Sequence, residues 1–104
     1  MLHTKIVDIK KENITSSKAE IFVKSFSYGA SIIFTGTVRN INKNKEVTGM
    51  TYDSHDELVL KSFEEIYKEA GDSLKIKDKV VFIEHIKGYV KLGETSIIIA
   101  VGCK

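Results

Sequence analysis

The chain has 104 residues, 42% of them hydrophobic and 29% charged, with a formal net charge of +2. That is the size and composition of one ordinary globular domain, and the charge is too small and dispersed to argue for a nucleic-acid partner. No apolar run reaches the 18 residues of a membrane span, residues 1–5 carry no signal-peptide pattern, and the single cysteine, Cys103, rules out an internal disulfide and suits a reducing cytosol.

Residues 4–9 alternate weakly and predict a short first strand. Ser17 followed by Glu20 fits a capping box, and Ala19, Phe22, Val23 and Phe26 then share a face, so a helix is expected to run to Ser25 or Phe26. Tyr28-Gly29 breaks it. Residues 30–38 form a nearly continuous apolar and β-branched run, which reads as a strand buried on both faces. This strand ends in Arg39, the one arginine among sixteen basic residues. Arginine is a rigid fork suited to phosphate or carboxylate oxygens, whereas lysine is a compact hydrated charge. A chain that uses lysine elsewhere and arginine once marks Arg39 as an anion-site candidate; an exposed salt bridge capping the strand is the plain alternative. Gly36 implies a bulge or a close approach.

Residues 40–46 are polar and asparagine-rich and read as a loop beside Arg39. Residues 47–52 predict a strand, expected to pair antiparallel with 30–38. Residues 57–71 predict the longest helix, with an apolar stripe of Val59, Phe63, Ile66, Tyr67 and Ala70, with Asp56 and Glu57 at its positive end and Gly71 as C-cap. Residues 79–85 form a third long strand. Residues 86–94 read as a linker holding a brief strand near Tyr89-Val90 and a turn at Gly93-Glu94. Residues 95–101 are a last, fully apolar strand of the kind normally found centrally, and nothing after it covers it. A second subunit, or a longer sequence, is therefore expected to do so. The order β-α-β-β-α-β-β indicates an α+β fold with a mixed, mostly antiparallel sheet and two helices.

No nucleophile-base string, phosphate-binding glycine loop or metal-ligand spacing occurs. His55 could be a base or a helix-flank residue, His85 could face a pocket or be structural, and Cys103 could be a nucleophile or inert. Tyr28, Tyr52, Tyr67 and Tyr89 read as core or interface residues.

Residues 29–40, with the core Phe34-Thr35-Gly36-Thr37-Val38-Arg39-Asn40, resemble the signature strand of the large, catalytic subunit of molybdopterin synthase. Residues 4–7, 47–52 with the following helix, 85–94 and 95–104 resemble further segments of that family in the same order, so the likeness covers nearly the whole chain as one domain, 1–104, similar to the N-terminal two-thirds of the subunit. The resemblance implies an α/β-hammerhead-like fold, a homodimer, and a small ubiquitin-like sulfur-carrier subunit whose C-terminal thiocarboxylate supplies sulfur. It implies molybdenum cofactor biosynthesis in the cytoplasm, by conversion of cyclic pyranopterin monophosphate to molybdopterin without metal or dissociable cofactor. By the same resemblance Thr37, Val38 and Arg39 lie at the pterin-substrate site. The family's catalytic lysines lie beyond Lys104, so no catalytic residue is assigned within the chain. His85-Ile86 stands where the family has His-Arg, and His55 where it has an aromatic residue. The alternative is a non-catalytic module that binds the ubiquitin-like partner.

Overall fold

The computed structural model describes residues 1–24, 28–42, 45–46, 48–75 and 78–104, with the backbone alone at 41–42 and 45–46. Its elements are β1 (Leu2–Asp8), α1 (Ser16–Val23), β2 (Ala30–Thr37), β3 (Ile41–Asn42), β4 (Lys45–Glu46), β5 (Gly49–Tyr52), α2 (Asp56–Leu74), β6 (Lys79–Lys91) and β7 (Thr95–Cys103). The main sheet runs β1-β6-β7-β2, with β5 added to the far end of β6, and a small β3-β4 ribbon stands apart. β1 is parallel to β6, and the β6-β7, β7-β2 and β5-β6 pairs are antiparallel. This is the expected α+β fold with two helices on a mixed sheet.

β6 is the spine. Its thirteen residues pair with β1 over Val81–Lys87, with β7 over Lys79–His85 and with β5 over Gly88–Lys91. The segment expected to be a linker is thus the second half of one long strand. Gly88, at φ +112°, lets the strand pass close to Ile9 where a side chain would collide. β5 pairs with β6, not with β2 as expected, because the backbone groups of β6 beyond its pairing with β7 need a partner and the 49–52 segment supplies it. Val47, the expected start of that strand, lies outside the described residues, as do Ser25 and Phe26, the expected end of α1.

One face of the sheet holds the core. Val7, Phe82, Ile86, Ile98 and Ala100 are buried there beneath Ala19 and Val23 of α1. Gly102 lets the helix end come down on β7, since a Cβ would stand 2.7 Å from the Val23 carbonyl oxygen. The N-cap of α1 is Thr15, and Ser17 sits inside the helix with its hydroxyl 3.4 Å from that of Thr15, so the expected capping box is not formed.

The other face is apolar but only partly covered. α2 begins at Asp56 after His55 and continues past Gly71 to Leu74, where Lys75 closes it in the left-handed conformation and donates to the Gly71 carbonyl. Its apolar stripe faces the sheet across a cavity of about 350 Å³ lined by Phe63, Ile66, Tyr67, Val81, Ile99 and Val101, among others. No residue of α2 is buried.

The largest departure from expectation is β2. It is an edge strand, not one buried on both faces: Ile32 is 69% and Phe34 57% exposed. A two-faced apolar run is what a strand needs when something outside the chain covers it, and the residue pattern cannot tell that case from a central strand. β7, which carries the same pattern, is central.

Candidate anion site at the end of β2

β2 stops by a register shift. Antiparallel pairing with β7 is regular from Ala30 to Gly36, then breaks between Gly36 and Thr37, which pairs with Thr95. Gly36 is needed at the break because a Cβ there would lie 2.6 Å from the Ile97 side chain. Both readings of Gly36, bulge and close approach, are therefore realised. Bulges redirect the chain beside functional positions.

Val38 then locks the exit. It is 2% exposed, its N–H donates to the Glu94 carbonyl (3.1 Å), and its own carbonyl accepts from Gly93 (2.8 Å). The same turn is held on its other side by Leu92 N–H to the Thr48 carbonyl at 2.9 Å. Val38 is therefore an anchor: its side chain is in the core and both its backbone polar groups are occupied. Thr37 and Arg39, flanking it, are exposed. Among the described residues Arg39 has no ion-pair partner, so the plain reading, a capping salt bridge, is not seen among them. An unpaired guanidinium on a pinned main chain is preorganised to take an anionic oxygen pair.

The remaining candidates fall elsewhere. His55 is the exposed N-cap of α2 and makes no side-chain capping bond. His85 is half-buried in mid-strand, with Nδ1 2.7 Å from the Ile86 carbonyl and its ring edge-on to Tyr52 at 5.1 Å, a structural placement. Cys103 lines the apolar cavity under α2. Tyr28 and Tyr52 pack against the core, Tyr67 lines the cavity and Tyr89 is 48% exposed. No cluster of three His, Cys, Asp or Glu side chains able to hold a metal occurs among the described residues.

A polar cluster was not anticipated. Glu84, 1% exposed, holds His3 Nε2 at 2.6 Å and Lys18 Nζ at 2.8 Å on the same carboxylate oxygen, with His3 stacked on Phe82. The signal was present: Glu84 is the one acid inside the run Val80-Val81-Phe82-Ile83-Glu84-His85-Ile86. A second polar feature ties α2 to β6. Lys87 Nζ meets Asp56 Oδ2 at 3.0 Å and holds that carboxyl below its ordinary range.

An α+β domain with an anchored, unpaired arginine at the end of an edge strand is the class so defined. The chain matches the family model described as MoaE protein over residues 9–104, and it belongs to that family. It is 34% identical over 95 residues to the molybdopterin synthase catalytic subunit of Pyrococcus abyssi, a match that covers 91% of this chain and 63% of that protein. The fold is close to the crystal structure of molybdopterin synthase from Staphylococcus aureus, with a TM-score of 0.82 at 24% identity over 95% of this chain and 69% of that one. It is also similar, with a TM-score of 0.64 at 24% identity, to a chain in the complex of subunits 1 and 2 of the molybdopterin-converting factor from Helicobacter pylori, covering 99% of this chain and 65% of that one. The chain spans less than two thirds of the length of curated relatives such as the Pyrococcus protein. No helix among the described residues is long and apolar enough to cross a membrane.

Proposed function

We propose that this chain, as a single domain over 1–104, acts in molybdenum cofactor biosynthesis as the substrate-cradling part of a molybdopterin synthase large subunit. In this reading it is cytoplasmic and dimerises with a second copy. A small ubiquitin-like sulfur-carrier subunit brings a C-terminal thiocarboxylate, and the sulfur goes to cyclic pyranopterin monophosphate. Arg39 takes an anionic oxygen of the pterin substrate, Thr37 adds a hydroxyl contact, and Val38 holds both in place. The observation that carries the reading is the unpaired Arg39 on a backbone fixed by Val38, within a chain of this family.

The test mixes the chain with thiocarboxylated small subunit and the pterin precursor, and measures precursor binding and dithiolene product. Arg39→Ala is expected to weaken precursor binding by about 10- to 100-fold, the worth of a charge-assisted pair, with Arg39→Lys intermediate. Binding and product unchanged by Arg39→Ala would remove the site assignment. The alternative reading is a module that binds the sulfur-carrier partner without turnover. Partner capture with no product supports that reading, and product formation removes it.

A further inference from the structure

The turn between β6 and β7 grips two other parts of the chain. It runs from Lys91 to Glu94 and is closed by the Glu94 N–H on the Lys91 carbonyl at 3.0 Å. Gly93 is its third residue and takes φ +81°, the left-handed conformation for which such a turn needs glycine. The polar groups that the turn does not use on itself go to its neighbours. Leu92 N–H donates to the Thr48 carbonyl (2.9 Å), Gly93 N–H donates to the Val38 carbonyl (2.8 Å), and the Glu94 carbonyl accepts from the Val38 N–H (3.1 Å).

Val38 and Thr48 are the two ends of one excursion of the chain. Between them Ile41–Asn42 pairs antiparallel with Lys45–Glu46, so the backbone closes on itself there. Arg39 and Asn40 are thus a short span between two fixed points, Val38 on the turn and Ile41 in the ribbon. Both ends of the segment that carries the arginine hang on Leu92, Gly93 and Glu94. A long exposed side chain takes its position from its main chain, and a bidentate fork binds well only where it is held in register with its anion. We infer that the β6–β7 turn is the clasp that positions Arg39, and that Gly93 is a positioning residue for anion binding although it touches no anion. The inference rests on the proposed role of Arg39 in holding the pterin substrate. Gly93 allows a clean trial of it. Among the described residues a Cβ there meets nothing within 4 Å, so a substitution strains the backbone of the turn without a collision. Asparagine tolerates the left-handed region, whereas β-branched valine does not.

The experiment uses the whole chain, with Gly93→Asn, Gly93→Val and Arg39→Ala made singly and the last two also combined. Circular dichroism checks the fold, and Gly93→Ala replaces the valine variant if that one does not fold. Gly93→Val is expected to speed hydrogen exchange of the Val38 amide at least about tenfold and to loosen the Arg39 main-chain amide in nitrogen–proton relaxation, with Phe82 and Ile98 unchanged. It is expected to weaken binding of cyclic pyranopterin monophosphate about tenfold where Arg39 is present, and no more than about twofold in the Arg39→Ala background. Gly93→Asn should fall between wild type and Gly93→Val in each measurement. Val38 and Arg39 amides that ignore Gly93→Val overturn the clasp. An equal loss of affinity with and without Arg39 overturns the positioning role, because Gly93 then acts on the fold at large. Precursor binding indifferent to Arg39→Ala removes the pterin assignment instead, and selective loosening of Val38 and Arg39 then still upholds the clasp.

Discussion

Glu84 is the one charged residue among the described residues that the fold removes from water. It is tolerated because two nitrogen groups reach the same carboxylate oxygen, Nε2 of His3 from β1 and the ammonium of Lys18 from α1. The partners are not equivalent in cost to Glu84 itself. Lys18 is half exposed and can be rehydrated if Glu84 is lost, whereas Glu84 cannot be rehydrated if Lys18 is lost. Lys18→Met is therefore expected to cost about 1–3 kcal/mol, and adding Glu84→Gln should recover part of that. Urea unfolding of both variants measures it. A loss under about 0.5 kcal/mol for Lys18→Met would place Lys18 among ordinary surface residues and remove the argument. Arg39 is the converse case at the same scale. It is exposed, so its charge costs little, and having no ion-pair partner among the described residues is no burden to the fold.

At the level of elements, α2 depends on its first turn. Asp56 is paired with Lys87 of β6, and Asp56 and Glu57 lie at the positive end of the helix. Lys87 depresses the Asp56 carboxyl below its ordinary value of 3.8, so the folded state binds that proton less readily than the unfolded chain. The stabilisation is then fully present above pH 3.8 and is lost as pH falls through the lower folded value. Asp56→Asn should flatten the fall in unfolding midpoint below about pH 5, with little change in that slope at neutral pH. An unchanged acid slope in the variant would show that Asp56 does not contribute to it. Both helices and the strands near 4–9, 30–38, 79–85 and 95–101 were legible, because period and composition are local properties. Strand partnership was not. Residues 49–52 carry nothing that names β6 over β2, and the two-sided apolar pattern of 30–38 reads alike for a central strand and for an exposed apolar edge. Of the site, Arg39 was legible by rarity and Gly36 by position. The anchoring of Val38 by Gly93 and Glu94 was not, because backbone bonds across fifty-odd residues leave no mark in side-chain chemistry.

Across the whole molecule the two faces of the sheet are unequal. The α1 face is closed, with Phe82, Ile98 and Ala100 at 0–1% exposure. The α2 face is propped open: the helix is held by Asp56 at one end and by Tyr67, whose hydroxyl takes the Met1 amino group at 2.9 Å and whose ring carries Lys79 Nζ at 4.2 Å. Between these props lies the apolar cavity of about 350 Å³. A helix that buries no residue gains little from packing, and a nineteen-residue helix is marginal on propensity alone. Local opening should therefore detach α2 before the sheet unfolds. Native-state hydrogen exchange is expected to show α2 amides exchanging at least about tenfold faster than those of Phe82 and Ile98, which report global unfolding. Ala70→Leu puts apolar volume into the cavity from the helix side and should slow α2 exchange selectively, leaving β6 and β7 unchanged. Equal protection in α2 and β6 would mean that the helix and sheet open as one unit, and that the cavity is not a weak seam.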